Sequence, residues 1–195
     1  RTGKIDYLGQ ASGPGAEGVT VQQAQSLSKT NPDIVQYMLP ATGYSVEMRC
    51  DNKPFTDIKV RQALQMSIDR AAIAKTYYSG LVEGTPAGIL SPAYKGYVTT
   101  YNEWPAELQK IYGYYPDESK KLLAEAGYPQ GFSTNCVATS GDIALLEIIK
   151  SYFSEINVDM EIKLMDQGTF MTYTDAGKND QMTFFSATGG TFPPH

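Results

Sequence analysis

The chain has 195 residues, 42% of them hydrophobic and 19% charged, and a net charge of −5. That balance can bury a core of ordinary size, and with no dense Lys/Arg stripe interleaved with aromatics it excludes a general nucleic-acid binder. No stretch approaches the roughly 18 apolar residues of a membrane-spanning helix, and Cys50, Cys136 and the lone His195 make neither a zinc site nor a Cys/His catalytic arrangement.

In chain order, the first expected elements are a strand at 4–9, a glycine loop "GPGAEG" from Gly13 to Gly18, and a helix at 19–29. Strand, loop and helix follow in the order of a dinucleotide-binding crossover. Pro14 removes a backbone N–H that could face a phosphate, and Glu17 sets a negative charge beside it. Asp33 is poorly placed as a ribose ligand, because it precedes the next apolar run. A flexible surface loop explains the same glycines. A nucleotide-binding enzyme domain built on Gly13, Gly15 and Gly18 stands as the alternative from another functional class.

Strands are expected at 34–39 and 43–50. In "YSVEMRCD", Tyr44, Val46, Met48 and Cys50 alternate with Ser45, Glu47, Arg49 and Asp51, which predicts a half-buried strand and a buried free thiol at Cys50. Helices are expected at 57–67 and 69–79, where Val60, Ala63, Leu64, Ser67 and Ile68 recur at helical spacing. Asp57 and Asp69 read as helix-start residues better than as a hydrolase pair. The stretch from Gly80 to Tyr115, rich in Pro, Gly and Tyr, reads as a long loop.

A helix at 116–126 follows, with Pro116 in its first turn, acids early, lysines later and Gly127 at its stop. A strand at 132–138, a helix at 142–156 capped by Ser140 or Asp142, a strand at 158–165, a helix at 168–176 and a strand at 181–187 complete the order. Asp159 and Glu161 fall on the polar face of their strand. The mixture is α/β (α+β). Fourteen tyrosines and seven phenylalanines suit core packing or an amphipathic ligand cleft. No nucleophile, base and orienting residue can be assembled, which favours a binding protein over an enzyme, with no cofactor and no metal.

The segment "NKPFTDIKVRQALQMSIDRAAIAKTYYSG", Asn52 to Gly80, closely resembles the signature region of bacterial extracellular solute-binding proteins of family 5, the dipeptide, oligopeptide and nickel receptors of ABC importers. "GTPAGILSPAYKGY", "YYPDESKKLLAEAGYPQGF" and "INVDMEIKL" follow in the family's order. The resemblance implies one lobe of a type II periplasmic-binding-protein-like fold, with a mixed sheet flanked by helices. It also implies that residues 1–195 form a single domain, the second lobe of a two-lobed receptor whose first lobe is absent. The implied protein is an extracytoplasmic monomer, in the periplasm or lipid-anchored at the cell surface. Its implied partners are a peptide or other small solute and an ABC permease. A lobe used for sensing or protein interaction is the second alternative.

The signature residues read as scaffold and do not locate the ligand. Dipeptide receptors of the family hold the peptide's amino terminus with an aspartate in a segment like "W..D..DP". The counterpart here, "SATGGTFPP", has Gly189 or Gly190 at the aspartate position. A carboxylate-binding arginine would fall in "NCVATSG", which contains no cation. The resemblance therefore points to a neutral or weakly polar solute, or one held through backbone and aromatic contacts. Expected lining residues are Thr139, Ser140, Gly141, Ser186, Thr188, Gly189 and Phe192, which follow strands at the lobe's open end. Ordinary connecting loops would place the same residues there.

Overall fold

The structure, a computed structural model, describes residues 21–35, 44–86, 96–140 and 143–186. The expected strand at 4–9, the Gly13–Gly18 loop and residues 36–39 lie outside the described residues. Ile34 and Val35 are described and belong to no strand.

Helix α1 is Val21–Thr30 and strand β1 is Tyr44–Met48. The alternation that builds β1 does not reach Cys50, which is exposed, so the expected burial of that thiol is wrong. The reason is a turn: the Asn52 amide bonds back to the Arg49 carbonyl at 3.0 Å. Arg49 fixes this corner. Its Nη1 donates to the Gly177 and Asn179 carbonyls at 2.8 Å each, while Nε and Nη2 grip the Asp51 carboxylate at 2.9 and 2.8 Å.

Helix α2 (Ile58–Met66) starts where the Asp57 side chain accepts the Lys59 amide, and α3 (Arg70–Thr76) where Asp69 accepts the Ala72 amide, both at 2.8 Å. Both aspartates are therefore caps, as their positions predict. The stretch read as one long loop contains a 3-10 turn, Tyr101–Glu103, and a short helix α4, Ala106–Ile111. Glu103 closes the turn by accepting from the Thr100 amide and hydroxyl at 2.9 and 2.8 Å, and the Trp104 ring packs edge-on against Tyr101 and Tyr112. Six helical residues are too few to display a period of 3.6, so this element left no mark in the pattern.

Helix α5 (Pro116–Glu125) has Pro116 at its first turn and stops at Gly127, whose φ of +92° is open to glycine. Its start is tied to the end of α2 by the Tyr115 amide on the Met66 carbonyl, 2.7 Å. Strand β2 (Phe132–Thr139), helix α6 (Ile143–Glu155), strand β3 (Val158–Met165), helix α7 (Gln167–Asp175) and strand β4 (Met182–Ser186) follow. At Gly131 a Cβ would sit 1.7 Å from the Asn157 carbonyl oxygen, and φ is +76°, so only glycine lets β2 begin beside β3.

The sheet order is β1-β4-β2-β3. Strand β2 runs parallel to β3 and to β4, and β1 closes the far edge antiparallel to β4. One face carries Val46, Met48, Met182, Phe184, Cys136, Ala138, Val158, Met160 and Ile162. It shares a core with Phe55, Val60, Ala63 and Leu64 before and in α2, Leu123 of α5, and Leu146, Ile149 and Phe153 of α6. Val60 and Leu64 thus enter the sheet's core as the stripe predicts, though α2 packs chiefly on α5. The other face meets α7 through Phe170 and Phe185, ring centroids 5.3 Å apart. There, Asn135 Oδ1 and Thr183 Oγ1 are buried without a hydrogen-bond partner.

Candidate functional site

In a sheet with parallel strands, side chains after the carboxyl ends are free of the ladder and converge where successive connections leave in opposite directions. Here β2 leads through α6 to β3 on one side. From β3 the chain returns through α7, past β2, to β4 on the other side. The switch point therefore lies between β2 and β4.

Register sets which residues meet at that edge. Thr139 pairs with Met165, and Tyr44 with Ser186. Cys136 pairs with Met182, a register that brings Ser186 level with Ser140 when carried along the strands. Tyr44, Ser186, Ser140 and Asp166 therefore form a row across all four strands, with Thr139 and Met165 one residue before it. Of the residues the sequence singled out, Ser140 and Ser186 lie in this row and Thr139 beside it. Gly141, Thr188, Gly189 and Phe192 lie outside the described residues.

Three members of the edge escaped the sequence reading. Tyr44 is 44% exposed, Ile143 36% and Leu164 47%. Their apolar spacing marks them as core, yet they extend past the layer that covers the strands. Tyr44 joins the edge because β1 is antiparallel, which brings its first residue to the carboxyl ends of its neighbours, and its ring stacks on Phe184 at 5.3 Å and 8°.

The row carries one charge, at its β3 end. Asp166 is exposed there and caps α7: Oδ1 accepts the Thr169 amide at 3.0 Å and Oδ2 the Thr169 hydroxyl at 2.5 Å. Those bonds, the hydroxyl's first, hold its carboxyl below the usual aspartate value. Asn135 to Ala138, where the resemblance would place an arginine, are buried in β2. Burial pushes the Cys136 thiol up to about 12, which leaves it protonated and inert. No group of three or more His, Cys, Asp or Glu among the described residues could hold a metal ion. No helix among them is long and apolar enough to cross a membrane. The arrangement offers apolar contact, hydroxyl and backbone hydrogen bonds and one carboxylate.

Comparison with known proteins identifies the family. The family described as bacterial extracellular solute-binding proteins, family 5 (middle), matches residues 1–195. The chain is 33% identical over 126 residues to the glutathione-binding protein GsiB of Salmonella typhimurium, a match covering 63% of this chain and 23% of the relative. Among solved structures it resembles the periplasmic binding protein DppA of Helicobacter pylori in complex with the peptide STSA, with 26% identity and a TM-score of 0.72. That likeness covers 85% of this chain and 30% of DppA. A dipeptide-binding protein from Pseudoalteromonas in complex with Met-Leu is 25% identical at a TM-score of 0.64, over 85% of this chain and 33% of that one. The chain spans a third or less of the length of each of these relatives.

Proposed function

From the premise that this chain belongs to the bacterial extracellular solute-binding proteins of family 5, we propose that it forms one lobe of a receptor. The lobe closes with a second one over a peptide or other small solute, for delivery to an ABC permease. The carboxyl edge is its half of the cleft. The carrying observation is the carboxyl edge of the sheet, where Ser140 and Ser186 lie level at the switch point and Tyr44, Ile143 and Leu164 are 36 to 47% exposed across the edge. Exposed apolar side chains along the edge where such sheets bind ligands gain roughly 25 cal/mol per Å² on burial.

The mechanism follows from that surface. Closure removes water from the edge, and the apolar side chains then meet the solute's side chains or backbone stem, while hydroxyls and strand ends satisfy its polar groups. A peptide's carboxylate end is compensated outside this row, whose one charge is the Asp166 carboxylate. Binding of glutathione by GsiB and of short peptides by the two structural relatives supports a peptide-like solute here. The receptor acts outside the cytoplasm, as a monomer, and catalyses no reaction.

Calorimetric titration of the full-length receptor with di- and tripeptides, glutathione, metal chelates and nucleotides tests this reading. One peptide-like solute should bind, and Leu164→Ser with Tyr44→Ala should weaken it at least about tenfold. Binding of a nucleotide alone would return attention to Gly13–Gly18 and overturn the proposal.

A further inference from the structure

Away from the carboxyl edge, a cavity of about 350 Å³ opens between the start of α3, the segment Gly84–Pro86 and the stretch from Tyr101 to Tyr114. Arg70, Thr85, Tyr101, Asn102 and Tyr112 are among its walls. That volume is at the lower end of those that hold small organic ligands. Arg70 is the one cation in the lining. Its side chain is half-buried and lies over the Tyr112 ring, 5.9 Å from the centroid.

The guanidinium is poorly satisfied. Nη1 reaches the Tyr112 carbonyl at 3.2 Å and the Gln65 and Ile68 carbonyls at 3.4 Å each, and Nη2 reaches the Gln65 carbonyl at 3.4 Å. Charged donors normally sit at about 2.7 to 2.9 Å from their acceptors. Among the described residues Nε has no acceptor, and no carboxylate pairs with Arg70. Burial pulls its pKa down, with charge interactions from Tyr112 and Tyr101 acting against it. Asp69 also lines the cavity; its Oδ1 takes the Ala72 amide at 2.8 Å, and it forms no ion pair with the guanidinium.

Arg49 provides the internal reference. There too Nη1 is spent on backbone carbonyls, and the Nε–Nη2 edge holds a carboxylate side-on at 2.9 and 2.8 Å. At Arg70 the carbonyls are present and the carboxylate is not. We propose that this cavity is a second ligand site that takes a small carboxylate with an aromatic or apolar body. The carboxylate lies side-on against Nε and Nη2 of Arg70, and the body packs on Tyr101 and Tyr112. No residue of the site belongs to the carboxyl edge, so it stands apart from the solute cleft.

The test is titration of the full-length protein with benzoate and with benzamide, its uncharged isostere. Benzoate should bind saturably, and benzamide at least about tenfold more weakly. Arg70→Gln should abolish benzoate binding. Since Arg70 also ties three carbonyls, the deciding variant is Asn102→Asp, which sets a fixed carboxylate in the same cavity and leaves those bonds alone. It should keep the wild-type melting temperature and weaken benzoate at least about tenfold. No benzoate binding by the wild type, equal binding of benzamide, or full benzoate affinity in Asn102→Asp would each overturn the site. Loss of this site would leave solute binding at the carboxyl edge unchanged, so the two readings fail separately.

Discussion

The signature segment Asn52–Ala74 and the carboxyl edge of the sheet are built on opposite physical plans. In the first, Phe55, Val60, Ala63 and Leu64 have no exposed surface, and Asp57 and Asp69 are committed to helix starts. At the second, Tyr44, Ile143 and Leu164 are exposed, and the row they flank carries one carboxylate, Asp166. The residues that identify the family are thus those that hold the lobe together, and they say nothing of what it holds. Ligand chemistry has to be read from an edge whose residues look unremarkable one at a time.

Substitutions should separate the two plans. The largest stability loss is expected in the signature, where Leu64→Ala removes a fully buried side chain from the shared core. Chemical denaturation should show a cost of about 3 kcal/mol. Asp57→Ala should cost about 1 kcal/mol by the same measurement, because the Lys59 amide loses its acceptor.

A smaller, pH-dependent effect belongs to the corner held by Arg49. Its guanidinium lowers the Asp51 carboxyl from an ordinary 3.8 to about 2, chiefly through their hydrogen bonds. A depressed carboxyl pKa contributes stability above the ordinary value and loses it as pH falls through the folded one. Asp51→Asn should therefore lie below wild type at neutral pH and converge with it between about pH 4 and pH 2 in acid titrations of stability. Least affected in stability should be the edge: Leu164→Ser is expected to stay within about 0.5 kcal/mol of wild type while solute binding falls, whereas Tyr44→Ala also loses its stack on Phe184 and should cost about 1 kcal/mol. A large loss of stability from Leu164→Ser would erase the contrast drawn here.

Much of this fold was legible because local rules agree. Pro116 and Gly127 bound α5 as their backbone preferences dictate, and Asp57 and Asp69 cap where spacing puts them. Misreadings arose where tertiary contacts override a local pattern. The alternation through Cys50 is broken by a corner that Arg49 fixes to residues far along the chain, Gly177 and Asn179. Helix α4 is set by the Trp104 ring between Tyr101 and Tyr112, not by a periodic apolar face. At the candidate edge, Thr139, Ser140 and Ser186 were legible as residues that end or follow strands. Tyr44, Ile143 and Leu164 were not, since apolar spacing marks a residue as core and their exposure is set by the tertiary packing.

The most direct test of the central claim is a thermal-shift screen of the full-length receptor against peptides and other small solutes, with the Tyr44→Ala, Leu164→Ser variant in parallel. A solute that raises the melting temperature of the wild type and leaves that of the folded variant unmoved is the predicted result. An equal shift in both proteins would contradict it and place solute binding away from the carboxyl edge.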